Sequence, residues 1–272
     1  MVLSIIYIVL ALGIDGVIFY FTSLYNYPYF YWVPVIAFPI LYVLLFAVTL
    51  IFLFIWGVLI NKSKEIVKPN KFYMMIVSQV VHQVNFFAGC NVKKSGFGNI
   101  PHGTPYLIIY NHVSNFDPML IMDHLHKDKI ICISKPSNFK IPIAGPFVYK
   151  AGYISINRED PKEGTKAILK AVDFANMGYT IAIAPEGTRM KDGVLGDFHP
   201  GSFQIGYHAQ IPIVLIGFKN TKMIHKNFPL KRTKINMDVI DVIPYESYKD
   251  KSTVALTKEV RELYQSYLNE GE

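Results

Sequence analysis

The first sixty residues are almost free of charge, and this constrains the chain more than any other feature of its sequence. They contain no Lys or Arg and a single acid, Asp15, whereas all 27 basic residues and 19 of the 20 acids come later. Residues 61–272 therefore carry a net charge of +8 (27 basic less 19 acidic residues). This split predicts an N-terminal membrane segment followed by a basic domain. We expect Asp15 to be neutral or hydrogen-bonded; the alternative is a functional group inside the membrane.

Two apolar runs, residues 2–21 and 35–60, make up this segment. At 1.5 Å per residue, the first matches a hydrocarbon layer of about 30 Å and the second exceeds it. Turn residues mixed with aromatics lie between the runs, as is typical of a membrane interface. The sequence predicts a membrane-embedded helical hairpin over residues 1–60. Because lysines follow at once, we expect an integral protein of the cell membrane with its soluble domain on the cytoplasmic side; these lysines are Lys62, Lys64, Lys68 and Lys71.

The rest of the chain is predicted to form a linker with one helix and then a larger domain. Residues 61–88 contain a lysine-rich linker and an amphipathic helix, 71–87, which either rests on the bilayer or packs in the core. In residues 89–272, apolar β-branched runs alternate with helical patterns, which favours an α/β domain with a mostly parallel sheet flanked by helices. The predicted strands are residues 106–110, 129–134, 153–156, 179–184, 211–218 and 234–243.

A loop between a predicted strand and a predicted helix, residues 111–118, holds an imidazole and a carboxylate five residues apart. His112 is of the type that takes a proton from a hydroxyl, and Asp117 could hold its ring in one tautomer. In α/β proteins, sites usually form where such loops leave the carboxyl ends of strands. We predict Asp117 as the helix N-cap and Pro118 as the first helical residue. The alternative is that Asp117 only caps the helix and His112 is an ordinary polar residue.

Two further strand ends carry arginines. The predicted strand at 153–156 runs into Arg158, and the strand at 179–184 runs into residues 186–189, which read Glu-Gly-Thr-Arg. Arginine offers a planar fork of donors that matches phosphate, and a glycine such as Gly187 lets backbone N–H groups approach an anion. In a parallel sheet these ends share one edge with His112. We therefore predict a phosphate-bearing substrate, the alternative being structural salt bridges.

Several function classes find no support in the sequence. It contains neither a Gly-rich P-loop nor a dinucleotide fingerprint, and two isolated cysteines, Cys90 and Cys132, make no zinc pattern. We predict no metal and no cofactor. Residues 219–234 include six basic residues, which are either solvated or in contact with anionic membrane lipids. Nucleic acid is not expected as a partner, because Phe228 is the one aromatic among these basic residues.

Four blocks together resemble one known family. The run Asn111-His112-x-Ser114-x-x-Asp117 is similar to the His-x4-Asp block of the lysophosphatidate (1-acyl-glycerol-3-phosphate) acyltransferases. Residues 152–158, 186–189 and 211–213 resemble the second, third and fourth blocks, in the family's order. The resemblance covers roughly residues 85–220. It implies a glycerolipid acyltransferase-like fold and a membrane enzyme that makes phosphatidate from lysophosphatidate in phospholipid biosynthesis.

The resemblance also implies roles for individual residues. His112 would be the general base and Asp117 its orienting partner, while the acceptor's phosphate site would comprise Arg158, Glu186, Gly187, Thr188 and Arg189. Because a carboxylate repels phosphate, we expect Glu186 to orient an arginine or to bind the glycerol. The acyl donor would be acyl-CoA or acyl carrier protein, a co-substrate rather than a cofactor.

Three alternatives remain open at this point. The same chemistry could use another acceptor, such as glycerol-3-phosphate, a different lysophospholipid or an amino lipid. A non-catalytic lipid-binding membrane protein could have the same fold, although the His112/Asp117 pair argues against it. A thioesterase or lipase would need a nucleophile or a water-activating site, which the sequence does not reveal.

Overall fold

A computed structural model describes residues 2–28, 30–157, 160–190 and 194–269. The chain divides into two compact units, Met1–Asn61 and Lys62–Glu272. We describe each unit by itself.

The first unit consists of two helices, α1 (Val2–Phe21) and α2 (Trp32–Leu59). They contact each other directly, since the Tyr7 hydroxyl donates to Thr49 Oγ1 at 2.7 Å and the Tyr7 ring meets the Tyr42 ring edge-to-face. The predicted helical hairpin is therefore present.

The surface of this hairpin is strongly apolar. Both helices are long and apolar enough to cross a membrane, and most of their large hydrophobic side chains are exposed. A helix in the core of a soluble protein would instead bury them, so the exposed surface supports membrane association. Asp15 is buried, at 5% exposure. It lies two helical turns after Tyr7, on the face of α1 that contacts α2, as expected for a carboxyl kept away from lipid.

The second unit is built on one sheet of seven strands in the order β1-β7-β6-β2-β5-β3-β4. Every neighbouring pair is parallel except β6 and β7. This confirms the predicted mostly parallel α/β sheet. The strands are β1 Cys90–Ser95, β2 Leu107–Tyr110, β3 Ile130–Ser134, β4 Ile154–Ser155, β5 Thr180–Ile183, β6 Ile213–Lys219 and β7 Thr233–Ile243.

Helices cover the sheet. Those of the second unit are α3 Lys71–Phe87, α4 Phe116–His124, α5 Ala144–Ala151, α6 Pro161–Asn176, α7 Gln204–Ala209, α8 Ile224–Asn227, α9 Tyr245–Tyr248 and α10 Thr253–Asn269. The central strands β2 and β5 are buried at every residue, and β6 at all but its last. These strands, buried on both faces, read as continuous apolar runs, which is why the sequence identifies them.

Local capping chemistry explains where two of these helices begin. The Asn70 side chain accepts from backbone amides in the first turn of α3. The Asp160 side chain does the same for α6, where Pro161 is the first helical residue, a position that proline favours. The amphipathic helix α3 buries Val77 and Val81 but exposes Phe72 and other apolar residues. Its contact with a bilayer stays a prediction.

The predicted cap of α4 is wrong. That helix begins at Phe116 with Asn115 as its N-cap residue, so Asp117 lies inside the first turn. The Asp117 carboxylate turns back towards the loop and accepts from the backbone amides of Val113 and Ser114, at 2.7 and 2.6 Å. These two amides precede the helix, and bonding them fixes the loop that carries His112.

Candidate active site

Two neighbouring parallel strands, β2 and β5, deliver the loops that form the site. Two hydrogen bonds join the loops, one to the backbone amide of His112 and one to its carbonyl. The His112 amide donates to Glu186 Oε1 at 2.9 Å, and the Met190 amide donates to the His112 carbonyl at 2.7 Å. The imidazole is therefore carried on a backbone that two strands hold in place.

His112 and Asp117 form the predicted pair. His112 Nδ1 lies 3.0 Å from Asp117 Oδ2, and the carboxylate is completely buried. Because an ionised carboxylate only accepts, Nδ1 carries the hydrogen and Nε2 is left with the lone pair that takes a proton. The His112 side chain keeps 20% of its surface exposed, so a substrate has access to it.

The two oxygens of the Asp117 carboxylate differ in their hydrogen bonding. Oδ2 accepts from the imidazole and from two backbone amides, whereas Oδ1 is buried and has no hydrogen-bond partner among the described residues. A buried anion of this kind favours a positive charge beside it. It would therefore stabilise His112 at the moment when the ring holds a second proton.

Glu186 lies beside His112 at the end of β5, and its contacts there were not predicted from the sequence. Its Oε1 accepts from the His112 amide and its Oε2 from the Gly196 amide, both at 2.9 Å. Burial raises the pKa of the Glu186 carboxyl, while the two amide bonds oppose that rise. Both oxygens thus hold loops together, and the expectation that Glu186 also orients an arginine or binds the glycerol stays a prediction. Glu186 lies behind His112, where it positions that residue's backbone.

The other predicted phosphate-binding residues differ in their placement. Gly187 is buried with φ +75°, a left-handed conformation that favours glycine, so the turn after β5 depends on it. Thr188 and Arg189 follow and are exposed. Arg158 lies outside the described residues. In sequence it follows β4. Three strand spacings separate β4 from β2, so these two strands lie about 14 Å apart.

Sequence reasoning missed three residues that hold the site. The Asn111 side chain donates to the Phe218 carbonyl and accepts from the Phe218 amide, which ties the end of β2 to the end of β6. Arg261 of α10 donates to the Leu195 and Gly196 carbonyls at 3.3 and 3.1 Å.

The third missed residue is Tyr264, whose hydroxyl donates to the Ile109 carbonyl of β2 at 2.6 Å. Asn111 had a visible signal, because it adjoins His112 at a strand end. Arg261 and Tyr264 had none, since they lie in an ordinary amphipathic helix far along the chain.

Other His–Asp contacts in the described part of the chain lack this setting. His82 pairs with Asp123 at 2.8 Å and His102 with Asp128 at 2.9 Å. The first pair joins helices α3 and α4, and the second joins the segments that lead into the amino ends of β2 and β3, at the opposite edge of the sheet from His112. Within the described residues, no group of three or more His, Cys, Asp or Glu side chains is placed to hold a metal ion.

Comparison with known proteins agrees with this geometry. Residues 91–219 match the family model described as Acyltransferase. A chloroplastic 1-acyl-sn-glycerol-3-phosphate acyltransferase of Brassica napus, BAT2, is 32% identical over 130 residues, which is 47% of this chain and 37% of that protein. The corresponding protein of Borreliella burgdorferi is 25% identical over 183 residues, which is 64% of this chain and 71% of that one.

The match to the plant relatives is partial, since the aligned part covers less than half of their length. Among solved structures, the 1-acyl-sn-glycerophosphate acyltransferase PlsC of Thermotoga maritima has a similar fold. Its TM-score is 0.59 at 20% sequence identity, over 72% of this chain and 78% of that one. The matched segment 91–219 contains both loops of the site.

Proposed function

We propose that this chain, whose residues 91–219 match the Acyltransferase family model, is a 1-acyl-sn-glycerol-3-phosphate acyltransferase that transfers a fatty acyl group from a thioester to the free hydroxyl of lysophosphatidate. The product would be phosphatidate, a precursor in phospholipid synthesis. The observation that carries the proposal is the His112/Asp117 pair, with Nε2 of the ring left to accept a proton. The pair follows β2 and is hydrogen-bonded to the loop after β5.

The pair supports a direct transfer. His112 Nε2 takes the proton from the acceptor hydroxyl while that oxygen attacks the thioester carbonyl. A carbon–oxygen bond forms, the carbon–sulfur bond breaks, and the leaving thiolate takes up the proton from the imidazolium. Asp117 keeps the ring in one tautomer and stabilises its charge, and Glu186 holds the backbone of His112 in place.

A covalent route through cysteine is disfavoured by the environment of both thiols. Burial raises the pKa of Cys90 to about 11 and that of Cys132 to about 12, so neither is a thiolate at neutral pH. This argues against a cysteine-dependent thioesterase and favours attack by the acceptor itself.

The acceptor's phosphate would bind beside the turn after β5. Gly187 gives that turn its left-handed backbone, and Thr188 and Arg189 are exposed next to it. Together with Arg158 they supply hydroxyl and guanidinium donors, which suit a phosphate better than a neutral headgroup. The lipid substrate would come from the membrane that holds the helical hairpin. Lysines from Lys62 onwards favour the cytoplasmic side for the second unit.

The test is an assay of thiol release by the purified full chain, crossing acyl-CoA and acyl carrier protein donors with a panel of acceptors. We expect lysophosphatidate to be the best acceptor. His112→Ala should lower the rate about 10²–10⁴-fold, because general-base help is lost. His102→Ala is the matched control, since it removes the imidazole of another His–Asp pair and should keep the rate. Near-normal transfer by the His112 variant would refute the mechanism.

A further inference from the structure

A loop on the same edge of the sheet as His112 has the features of a membrane-binding surface. This rim loop, residues 220–232, follows β6, which is parallel to β2 and adjacent to it. The hydrogen bonds between Asn111 and Phe218 join the two strand ends. The ring of His225 in the loop also lies 5.5 Å from the ring of Phe116, inside the His112/Asp117 motif. The rim loop is thus next to the candidate active site.

The tip of the rim loop exposes large apolar side chains. The Lys231 amide donates to the Asn227 carbonyl at 2.8 Å and closes a turn around Phe228, Pro229 and Leu230. Phe228 is 54% exposed and Leu230 is 91% exposed. Most exposed leucines still rest part of their surface on neighbours, whereas this one projects almost completely from the protein.

The base of the loop is held firmly by the fold. Ile224 is buried, and its carbonyl accepts from the Phe228 amide at 3.0 Å. The Thr233 amide donates to the Gly89 carbonyl at 2.9 Å, which attaches the loop to the end of α3. The apolar tip is therefore presented on a fixed base and does not depend on a flexible segment.

The charge around this tip has a single sign. Residues 219–234 contain no acid, and their six basic residues are Lys219, Lys222, Lys226, Lys231, Arg232 and Lys234. Four of these lie within the rim loop, and all four are exposed. A basic residue near an anionic membrane surface strengthens binding about fivefold, and buried apolar side chains add to this.

We propose that the rim loop inserts Phe228 and Leu230 into the interface of an anionic bilayer, with its basic residues on the lipid phosphates. The cationic surroundings favour such a bilayer over an apolar protein partner, which would leave four positive charges uncompensated. The active-site edge then faces the lipid from which an acceptor enters. The identity of that acceptor rests on the proposed function, whereas the contact with lipid does not.

The contact itself is tested by photo-cross-linking the full chain in phosphatidylcholine bilayers with and without phosphatidylglycerol. A benzophenone amino acid replaces Leu230 in one variant and Val254 in a control. Val254 is similarly apolar and 65% exposed, but it follows the end of β7 at the opposite edge of the sheet. We expect lipid adducts at position 230, more of them with phosphatidylglycerol, and few at position 254. Cross-links from position 230 to protein alone, or equal lipid labelling at both positions, would overturn the proposal.

Its consequence for catalysis is tested with the double variant Phe228→Ser/Leu230→Ser, using Val254→Ser as the control. With long-chain lysophosphatidate in phosphatidylglycerol-containing bilayers, we expect the KM of the double variant to rise roughly tenfold. With a short-chain lysophosphatidate dissolved in water, its KM should equal that of the parent. An equal loss on both acceptors would mean that the loop serves the fold. If the parent used neither acceptor, the proposed function would fail while the cross-linking result still stood.

Discussion

At the scale of single residues, the candidate site depends on the Asp117 carboxylate, which binds both the imidazole of His112 and the backbone of the loop. Asp117 Oδ2 accepts from His112 Nδ1 and also from the amides of Val113 and Ser114. The residue that orients the ring therefore also shapes the loop that carries it. A substitution that keeps the shape but removes the charge separates the two contributions.

The substitution Asp117→Asn should separate the effect of Asp117 on the imidazole from its effect on the loop. The amide oxygen can still accept from the loop, so we expect the free energy of unfolding to change by no more than about 1 kcal/mol. The rate should fall strongly, with little change in acceptor KM, because the imidazolium loses its anionic partner. Kinetics and thermal denaturation of the same preparation give both quantities. Asp160→Asn is the control, since Asp160 is a true N-cap and Asn caps equally well. A stability loss with activity kept would show that Asp117 serves only the loop.

Arg158 and Arg189 are predicted to bind the phosphate of the acceptor. Charge-assisted hydrogen bonds are worth about 1.5–3 kcal/mol, and about 1.4 kcal/mol changes a binding constant tenfold. Either Arg→Ala substitution should therefore raise the lysophosphatidate KM by roughly one to two decades. The KM of the acyl donor should move little. Monoacylglycerol, which lacks the phosphate, is the control acceptor. Equal losses on both acceptors would assign these arginines to the fold or to the donor.

At the scale of elements, the site is held by a chain of contacts that begins on the C-terminal helix. Arg261 of α10 bonds the carbonyls of Leu195 and Gly196, the Gly196 amide bonds Glu186, and Glu186 bonds the His112 amide. Gly196 and Glu186 are closely packed, because a Cβ at Gly196 would lie 3.2 Å from Glu186 Oε2. Helix α10 is therefore expected to affect the position of His112 without touching a substrate.

Arg261→Ala should lower kcat about tenfold and leave both KM values close to those of the parent, since two hydrogen bonds to the supporting loop are lost. Arg261→Lys, which keeps one charged donor, should recover part of the rate. Lys258→Ala, an exposed change on the same helix, should have no effect. Steady-state kinetics that give kcat and KM separately make this measurement. A variant that only melts earlier, with unchanged kcat, would show that Arg261 acts on stability alone.

At the scale of the whole molecule, the hairpin prediction concerns how the chain sits in a membrane. Two helices that both span a bilayer return the chain to its starting side. The lysines after α2 favour the cytoplasmic side for that end. We therefore expect tags at Met1 and at Glu272 to lie on the cytoplasmic side. An impermeant reagent should label neither tag in intact spheroplasts and both tags after permeabilisation. A tag at Met1 labelled only from outside would indicate a single span.

The sequence by itself determined the parts that local chemistry specifies. The two membrane-type helices, the buried strands and the start of α6 at Pro161 follow from hydropathy, periodicity and capping, which act over a few residues. The pairing of His112 with Asp117 was also predictable, because both lie in one short loop. Even there, the sequence could not tell whether Asp117 would cap the helix or turn back to the loop, since an Asp side chain accepts hydrogen bonds from backbone amides in either place.

Only the tertiary structure decided which loops meet. The strand order sets β2 beside β5 and β6 but leaves β4 two strands beyond β5, so the loop with Glu186 adjoins His112 and the end of β4 does not. Pairing between distant strands depends on how the whole chain packs, and no short pattern encodes it. The same holds for Glu186, whose partners His112 and Gly196 come from different loops. The fold brings the two backbone amides within hydrogen-bond distance of its carboxylate. Because the site is buried, these amides bond the carboxylate instead of water.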